Sequence, residues 1–367
     1  MGKGRRLSLV WSLVKLLMII SVVVLGINGA ELPAVFIFGD STADVGTNNH
    51  LQGCLATANN RFYGIDYPFS KPTGRFSNGY NTADEVVRLL GDFRESPQPY
   101  LYLITHMSSF KSKIVGGVNF ASGGAGLFDD TGKANFKNVV PLGQQIQQFA
   151  AVQGNITELL GSPKAENHLA NSLYLISVGS NDIFDNANHT NPIILLSNLT
   201  NSYANHLKNL YDLGARKFGI VSVPNIGCIP AIRYLFGGNC SEGLNSLARA
   251  FYTSVQGLMQ NFSSSYNGVH YSLGNAFQMT QNILDNPRAN GFKNVIDACC
   301  GDGKFNGKNK CTPKSNLCLK RNEFLFWDWF HPTQKASKLA AETLVFAEGA
   351  EYVTPMNFST LAATVIN

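Results

Sequence analysis

From residue 34 onward, short apolar runs that stop at a glycine or a polar turn alternate with stretches in which apolar residues recur at helical spacing. Residues 34–38 form the first such run and end at Gly39, and 118–120, 173–178, 217–223 and a weaker 269–273 read the same way. Runs this short and this apolar suit strands buried on both faces. Between them, residues 81–90 place Ala83, Val86, Val87 and Leu90 on one helical face. Residues 142–152 and 197–213 repeat the spacing, the latter stopping at Gly214, and 241–266 carries Leu247, Phe251, Val255 and Leu258 along one side. A last helix over 333–347 follows Pro332, a residue favoured at helix starts. Strands alternating with helices predict an α/β fold: a mainly parallel sheet of about five strands, flanked by helices on both faces. In such sheets ligands bind at the carboxyl ends of the strands, so the chemistry should follow the apolar runs.

Charge separates a leader from the body. The chain of 367 residues has 29 Lys and Arg against 24 Asp and Glu, a formal +5. Four of those bases, Lys3, Arg5, Arg6 and Lys15, fall within residues 1–30, which hold no acid, so the remainder carries 25 against 24, a net of +1. A basic start, an apolar stretch over 7–27 and the small Gly29 and Ala30 predict a secretory signal peptide over 1–30, cleaved near Ala30. An uncleaved anchor is the competing reading, and Lys15 in the middle of the apolar stretch opposes it. The rest, 31–367, reads as one domain without repeats or linkers, with no other run long enough to span a membrane and no basic cluster for a nucleic acid.

Two further features fit export to the extracellular space. Sequons for N-glycosylation occur at Asn155, Asn188, Asn198, Asn239, Asn261 and Asn357. The seven cysteines, Cys54, Cys228, Cys240, Cys299, Cys300, Cys311 and Cys318, are an odd number, which in an oxidising compartment leaves at least one unpaired. Cys228 with Cys240, and Cys299 or Cys300 with Cys311 or Cys318, are the local closures expected. A zinc site in the last four is the alternative, and the spacing lacks the paired C-x-x-C that favours it.

Four motifs stand where chemistry is expected. Gly39-Asp40-Ser41-Thr42 follows the first run, placing a serine where a nucleophile can project from a sheet edge with its own amide free. By itself the triplet reads equally as a polar turn or helix cap. Asn119-Phe120-Ala121-Ser122-Gly123-Gly124 is a strand followed by a glycine-rich turn that can offer a backbone N–H to an anion. It is no dinucleotide fingerprint, because Asp129 stands where the third glycine is needed. Gly179-Ser180-Asn181-Asp182 brings a side-chain amide to a third strand exit, and Asp328-Trp329-Phe330-His331 sets a carboxylate three residues before an imidazole it can orient. His50, His106 and His206 have no partner at metal spacing, and the aromatic run of Phe324, Phe326, Trp327, Trp329 and Phe330 reads as core or as an acyl pocket. Asp44 and Asn48 reach the site or fold its loop.

Taken in order, these four motifs resemble the conserved blocks of the SGNH hydrolase superfamily in its plant GDSL-type esterase/lipase form. Gly74-Arg75-Phe76-Ser77-Asn78-Gly79, Val223-Pro224-Asn225-Ile226-Gly227-Cys228 and Ala298-Cys299-Cys300-Gly301 are similar to that family too. The resemblance covers nearly the whole chain after Ala30 and implies a single flavodoxin-like domain and a secreted, cofactor-free serine esterase or lipase that cleaves acyl esters, in the cell wall or apoplast of a plant. It implies Ser41 as nucleophile, His331 as base and then acid, and Asp328 as the group that orients His331. The N–H groups of Ser41 and Gly123 and the amide of Asn181 are the implied oxyanion donors. No metal is implied. Thr42 departs from the family's leucine and is expected to act through packing, and Tyr80 stands where many relatives carry arginine. No G-x-S-x-G elbow occurs, which separates the chain from the α/β-hydrolases. Transfer of the acyl group to a sugar or polymer hydroxyl, and an idle glycoprotein of the same fold, are the alternatives to hydrolysis.

Overall fold

The first apolar run becomes a strand whose five residues are all buried, β1 (Val35–Gly39). With β2 (Gly117–Asn119), β3 (Leu173–Ser177), β4 (Lys217–Val221) and β5 (His270–Gly274) it builds a parallel sheet in the order β2-β1-β3-β4-β5. A computed structural model describes residues 32–91 and 94–367, so the expected leader over 1–30 lies outside the described residues. A sixth strand, β6 (Val353–Thr354), adds antiparallel to β5 at the edge. With two residues it is too short to leave a periodic signal.

The continuous apolarity of the strands resolves into two faces with a period of two. Phe36, Phe38, Tyr174 and Phe218 point to one side, while Val35, Ile37, Leu173 and Leu175 point to the other. Both faces are covered by helices: α1 (Thr82–Leu89), α2 (Leu142–Leu160), α3 (Ser180–Asn186), α4 (Pro192–Asp212), α5 (Glu242–Ser265), α6 (Ala276–Asp285) and α7 (Gln334–Phe346). The expected helix over 142–152 continues to Leu160, because Ile156 extends the buried stripe of Ile146, Phe149 and Val152. The helix then stops at Gly161, whose φ of 76° favours glycine. α4 starts at Pro192, ahead of the expected 197, where Asn191 caps the helix by accepting from the Ile193 N–H.

Residues 294–328 lie outside the main sheet and are stapled. Asn294–Ala298 pairs with Phe324–Phe326, and Cys300–Gly301 with Asn316–Leu317. Disulfides join Cys299 to Cys318 and Cys300 to Cys311, so these four cysteines are no zinc site, and a third joins Cys228 to Cys240. Cys54 is the free thiol.

The order β2-β1-β3 places the reversal of winding at β1. The crevice of such a sheet opens outside the carboxyl ends of the strands at that point. The exits of β1, β2 and β3 carry the first three motifs, and the loop before α7 brings the fourth to them.

Candidate active site

The turn that carries Ser41 starts from a glycine whose surroundings exclude a side chain. Gly39 has φ 144°, and a Cβ on it would stand 2.1 Å from the Ser177 carbonyl oxygen, so only glycine lets β1 end this close to β3. Gln145 of α2 pairs with the same residue: its Oε1 accepts from the Gly39 N–H at 2.9 Å and its Nε2 donates to the Gly39 carbonyl at 2.8 Å. Asp40 then turns inward and Ser41 outward, half-buried at the mouth of a cleft. The Thr42 hydroxyl donates to Asp40 Oδ1 at 2.8 Å and accepts from the Ser177 hydroxyl at 2.8 Å. The departure from leucine therefore adds a polar link that packing alone did not anticipate. Burial pushes the Asp40 carboxyl up to about 6, against the Thr42 hydrogen bonds and the nearby His331 that favour its charged form.

Across the cleft, His331 Nε2 lies 2.8 Å from Ser41 Oγ, and His331 Nδ1 lies 2.8 and 3.0 Å from the two oxygens of Asp328. Asp328 is fully buried. Its Oδ1 accepts from the Phe330 and His331 N–H groups at 2.9 and 2.8 Å, which folds residues 328–331 into one tight turn. Its Oδ2 accepts from the Tyr63 hydroxyl at 2.7 Å. Burial alone would raise the carboxyl, but the His331 ring, the two N–H groups and Tyr63 outweigh it and hold Asp328 below the usual carboxylate range. An ionised Asp328 on Nδ1 fixes the tautomer that leaves Nε2 free to accept the Ser41 proton. Phe76 packs on the His331 ring with centroids 4.8 Å apart.

The oxyanion donors need one correction. Among the described residues the Ser41 N–H has no protein acceptor, as expected of a donor kept for a ligand. Asn181, at the start of α3, donates one amide hydrogen to the Ala125 carbonyl at 2.9 Å and keeps the other. Gly123, by contrast, already donates its N–H to Asp44 Oδ2 at 2.9 Å, so that group is not free. The next residue, Gly124, lines the cleft, and its N–H has no protein acceptor among the described residues.

Asp44 and Asn48 explain why. Asp44, fully buried, also accepts from the Gly46 and Thr47 N–H groups, and desolvation lifts its carboxyl to about 6. Asn48 Nδ2 donates to the Gly123 carbonyl at 2.9 Å and to the Ala56 carbonyl at 2.8 Å. In a trans peptide the C=O and the following N–H point opposite ways, so Asn48 turns the Gly124 N–H away from itself.

The cleft has a volume of about 370 Å³, within the ~300–1,000 Å³ usual for ligand sites. Phe326, Trp329 and Phe330 of the aromatic run line it, whereas Trp327 is buried core. His106 stacks on Tyr102, His50 meets the same ring edge-on, and His206 sits by the Leu127 carbonyl, all away from the cleft. Among the described residues no cluster of three or more His, Cys, Asp or Glu is arranged for a metal. Tyr63 and Gln145 escaped the sequence reading, because each meets its partner across more than a hundred residues and neither belongs to a motif.

The architecture agrees with comparisons across known proteins. The family model for GDSL-like lipase/acylhydrolase matches residues 35–344. GDSL esterase/lipase LTL1 of Arabidopsis thaliana is 36% identical over 340 residues, 89% of this chain and 90% of its own length. GDSL esterase/lipase At4g28780 is 35% identical over 343 residues, 90% of each chain, and GDSL esterase/lipase At5g45670 is 35% identical over 364 residues, 95% of this chain and 98% of its own, both also from Arabidopsis thaliana. With a serine, a histidine and a buried aspartate in register at the crevice of a parallel sheet, the chain belongs to the GDSL-like lipase/acylhydrolase family and is a carboxylic ester hydrolase.

Proposed function

We propose that the protein is a secreted serine esterase that works through an acyl-serine intermediate. The observation that carries this reading is the line of contacts from Ser41 Oγ through the His331 ring to Asp328, each 2.8 Å long. His331 Nε2 takes the Ser41 proton as Oγ attacks the ester carbonyl, and the negative charge that gathers on the carbonyl oxygen meets the N–H groups of Ser41 and Gly124 and the free amide hydrogen of Asn181. Gly124 here replaces Gly123. Each such donor is worth roughly 3 kcal/mol of barrier. The imidazolium then protonates the leaving alcohol; His331 next takes a proton from a water that attacks the acyl-serine and returns it to Ser41 Oγ as the acid leaves.

Export is supported by the leader-like segment over 1–30 and by three disulfides, which persist in oxidising compartments. Of the sequons, Asn188, Asn198, Asn239 and Asn261 are exposed and suit glycan attachment. Asn357 caps a helix by accepting from the Thr360 N–H, and Asn155 donates to the Ala151 carbonyl, so both side chains are engaged. Among the described residues no helix is long and apolar enough to cross a membrane.

Ser41→Ala is the test. Hydrolysis of p-nitrophenyl acetate should fall by at least ~1,000-fold and labelling by a fluorophosphonate should vanish, with the circular dichroism spectrum unchanged. Retained turnover or labelling would refute the acyl-serine step.

A further inference from the structure

The cleft over Ser41 does not end at His331. It continues past Pro332 between α6 and α7 as far as Tyr352. α6 lines this extension with Ala276, Met279, Thr280 and Ile283, and α7 with Ala336, Leu339, Ala340 and Thr343, each set spaced one, four, five and eight along its helix. That spacing is one continuous helical face. Ala276, Ala336 and Ala340 leave open space between the two helices where longer side chains would fill it. The Thr280 and Thr343 hydroxyls donate to the Ala276 and Leu339 carbonyls within their own helices, at 2.8 and 3.0 Å, so they ask nothing of a ligand. Leu325 and Leu344 complete the walls, the two helices add the polar Asn282 and Ser337, the latter with no hydrogen-bond partner for its buried hydroxyl among the described residues, and neither helix contributes a charged side chain. The other side of Ser41 is more polar: Thr57, Asn135, Asp185 and Lys310 line it, along with the apolar Leu55, Ala56 and Phe136.

We infer that the α6–α7 groove is the acyl subsite and takes a long unbranched hydrocarbon chain, while the polar side of the cleft receives the alcohol. This rests on the acyl-serine reading of the same site. The groove is a mainly apolar surface leading away from Ser41, and the part of an ester that gains most from such a surface is its alkyl chain. Each methylene moved from water into it is worth roughly fourfold in binding. The polar side offers hydrogen-bonding groups that an alkyl chain would leave unmatched, whereas an alcohol bearing further hydroxyls would use them.

The experiment is a chain-length series. kcat/KM is measured on p-nitrophenyl acetate, butanoate, octanoate and dodecanoate, and on acetates of alcohols of matching lengths. The acyl series should rise at least ~10-fold from acetate to octanoate, while the alcohol series stays nearly level. Ala340→Phe, which fills the groove, should cut the octanoate-to-acetate ratio at least ~10-fold. An acyl series that is flat while acetate is turned over overturns the groove assignment and leaves the esterase reading standing, and so does a length dependence confined to the alcohol. Should that variant not fold, the wild-type series decides alone. Binding of decanoate to the wild-type chain, followed by tryptophan fluorescence, reads the groove without turnover: saturable binding supports it even if no ester is cleaved, and absence of binding overturns it.

Discussion

At the scale of single residues, the proposed oxyanion site depends on a side chain outside the proposed contacts with substrate. Asn48 holds the Gly123 carbonyl, and through the plane of that peptide it aims the Gly124 N–H, while Asp44 holds the Gly123 N–H on the other side. Asn48 is thus a positioning residue. Asn48→Ala should lower kcat ~10- to 100-fold with KM changed by no more than about twofold, because the lost interaction is made in the transition state. A raised KM with kcat intact would show that Asn48 merely folds the loop. Ser41, Asp328 and His331, the proposed triad, stand out in the sequence because each sits inside a local motif at a strand exit or before a helix, and the structure brings the three side chains together. The choice between Gly123 and Gly124 was not legible, because it turns on which peptide N–H Asp44 captures from 79 residues away. Tyr63 was hidden for the same reason: its contact with Asp328 spans 265 residues.

Among elements, the turn that carries Ser41 hangs on the join between β1 and α2. A strand end normally satisfies its backbone groups on neighbouring strands, but Gly39 uses Gln145, a buried polar side chain in the first turns of a helix, as a partner for both its N–H and its C=O. Removing the amide leaves the Gly39 N–H and the Val140 carbonyl, to which Nε2 also donates at 2.8 Å, buried without that partner at ~1–3 kcal/mol each, while the Gly39 carbonyl keeps the Ser122 N–H at 3.1 Å. Gln145→Leu should therefore destabilise the fold by ~2–4 kcal/mol, read as a lower urea midpoint with an unchanged slope. An unaltered midpoint would mean that Gly39 finds other partners. The five parallel strands were legible because burial on both faces makes them uniformly apolar, and the start of α7 because Pro332 and Thr333 mark it. What escaped were the elements whose stability comes from elsewhere. The two-residue β6 is held by β5, and the short ladders over 294–326 are held by disulfides whose pairing spacing alone left open.

For the whole molecule, the sheet is active at one edge and anchored at the other. The carboxyl ends of the strands carry the proposed site, while at the amino end of β4 a lysine ties in the segment around residues 358–364. Lys217 is 2% exposed, and its Nζ donates to the Ala362 and Thr364 carbonyls at 2.9 and 3.1 Å. Those carbonyls close the helix Phe358–Ala363, whose Phe358 and Leu361 pack fully buried against the sheet. Among the described residues no carboxylate pairs with Lys217, and desolvation lowers its pKa from 10.5 to about 8. The consequence for stability has a definite sign. Below about pH 8 the amine is charged in both the folded and the unfolded chain, and the folded one bears the full cost of burying it. Between about 8 and 10.5 the folded amine is neutral while the unfolded one still holds its proton, so unfolding takes up a proton and stability from this group rises with pH. The gain approaches ~3 kcal/mol across the window. Comparison with Lys217→Met cancels the other titrating groups: the wild-type unfolding free energy minus that of the variant should be level below pH 8 and climb from there to pH 10.5. A difference that stays level throughout, or falls, would mean that Lys217 keeps its proton in the fold and that the carbonyls of the terminal helix suffice to hold a charged amine.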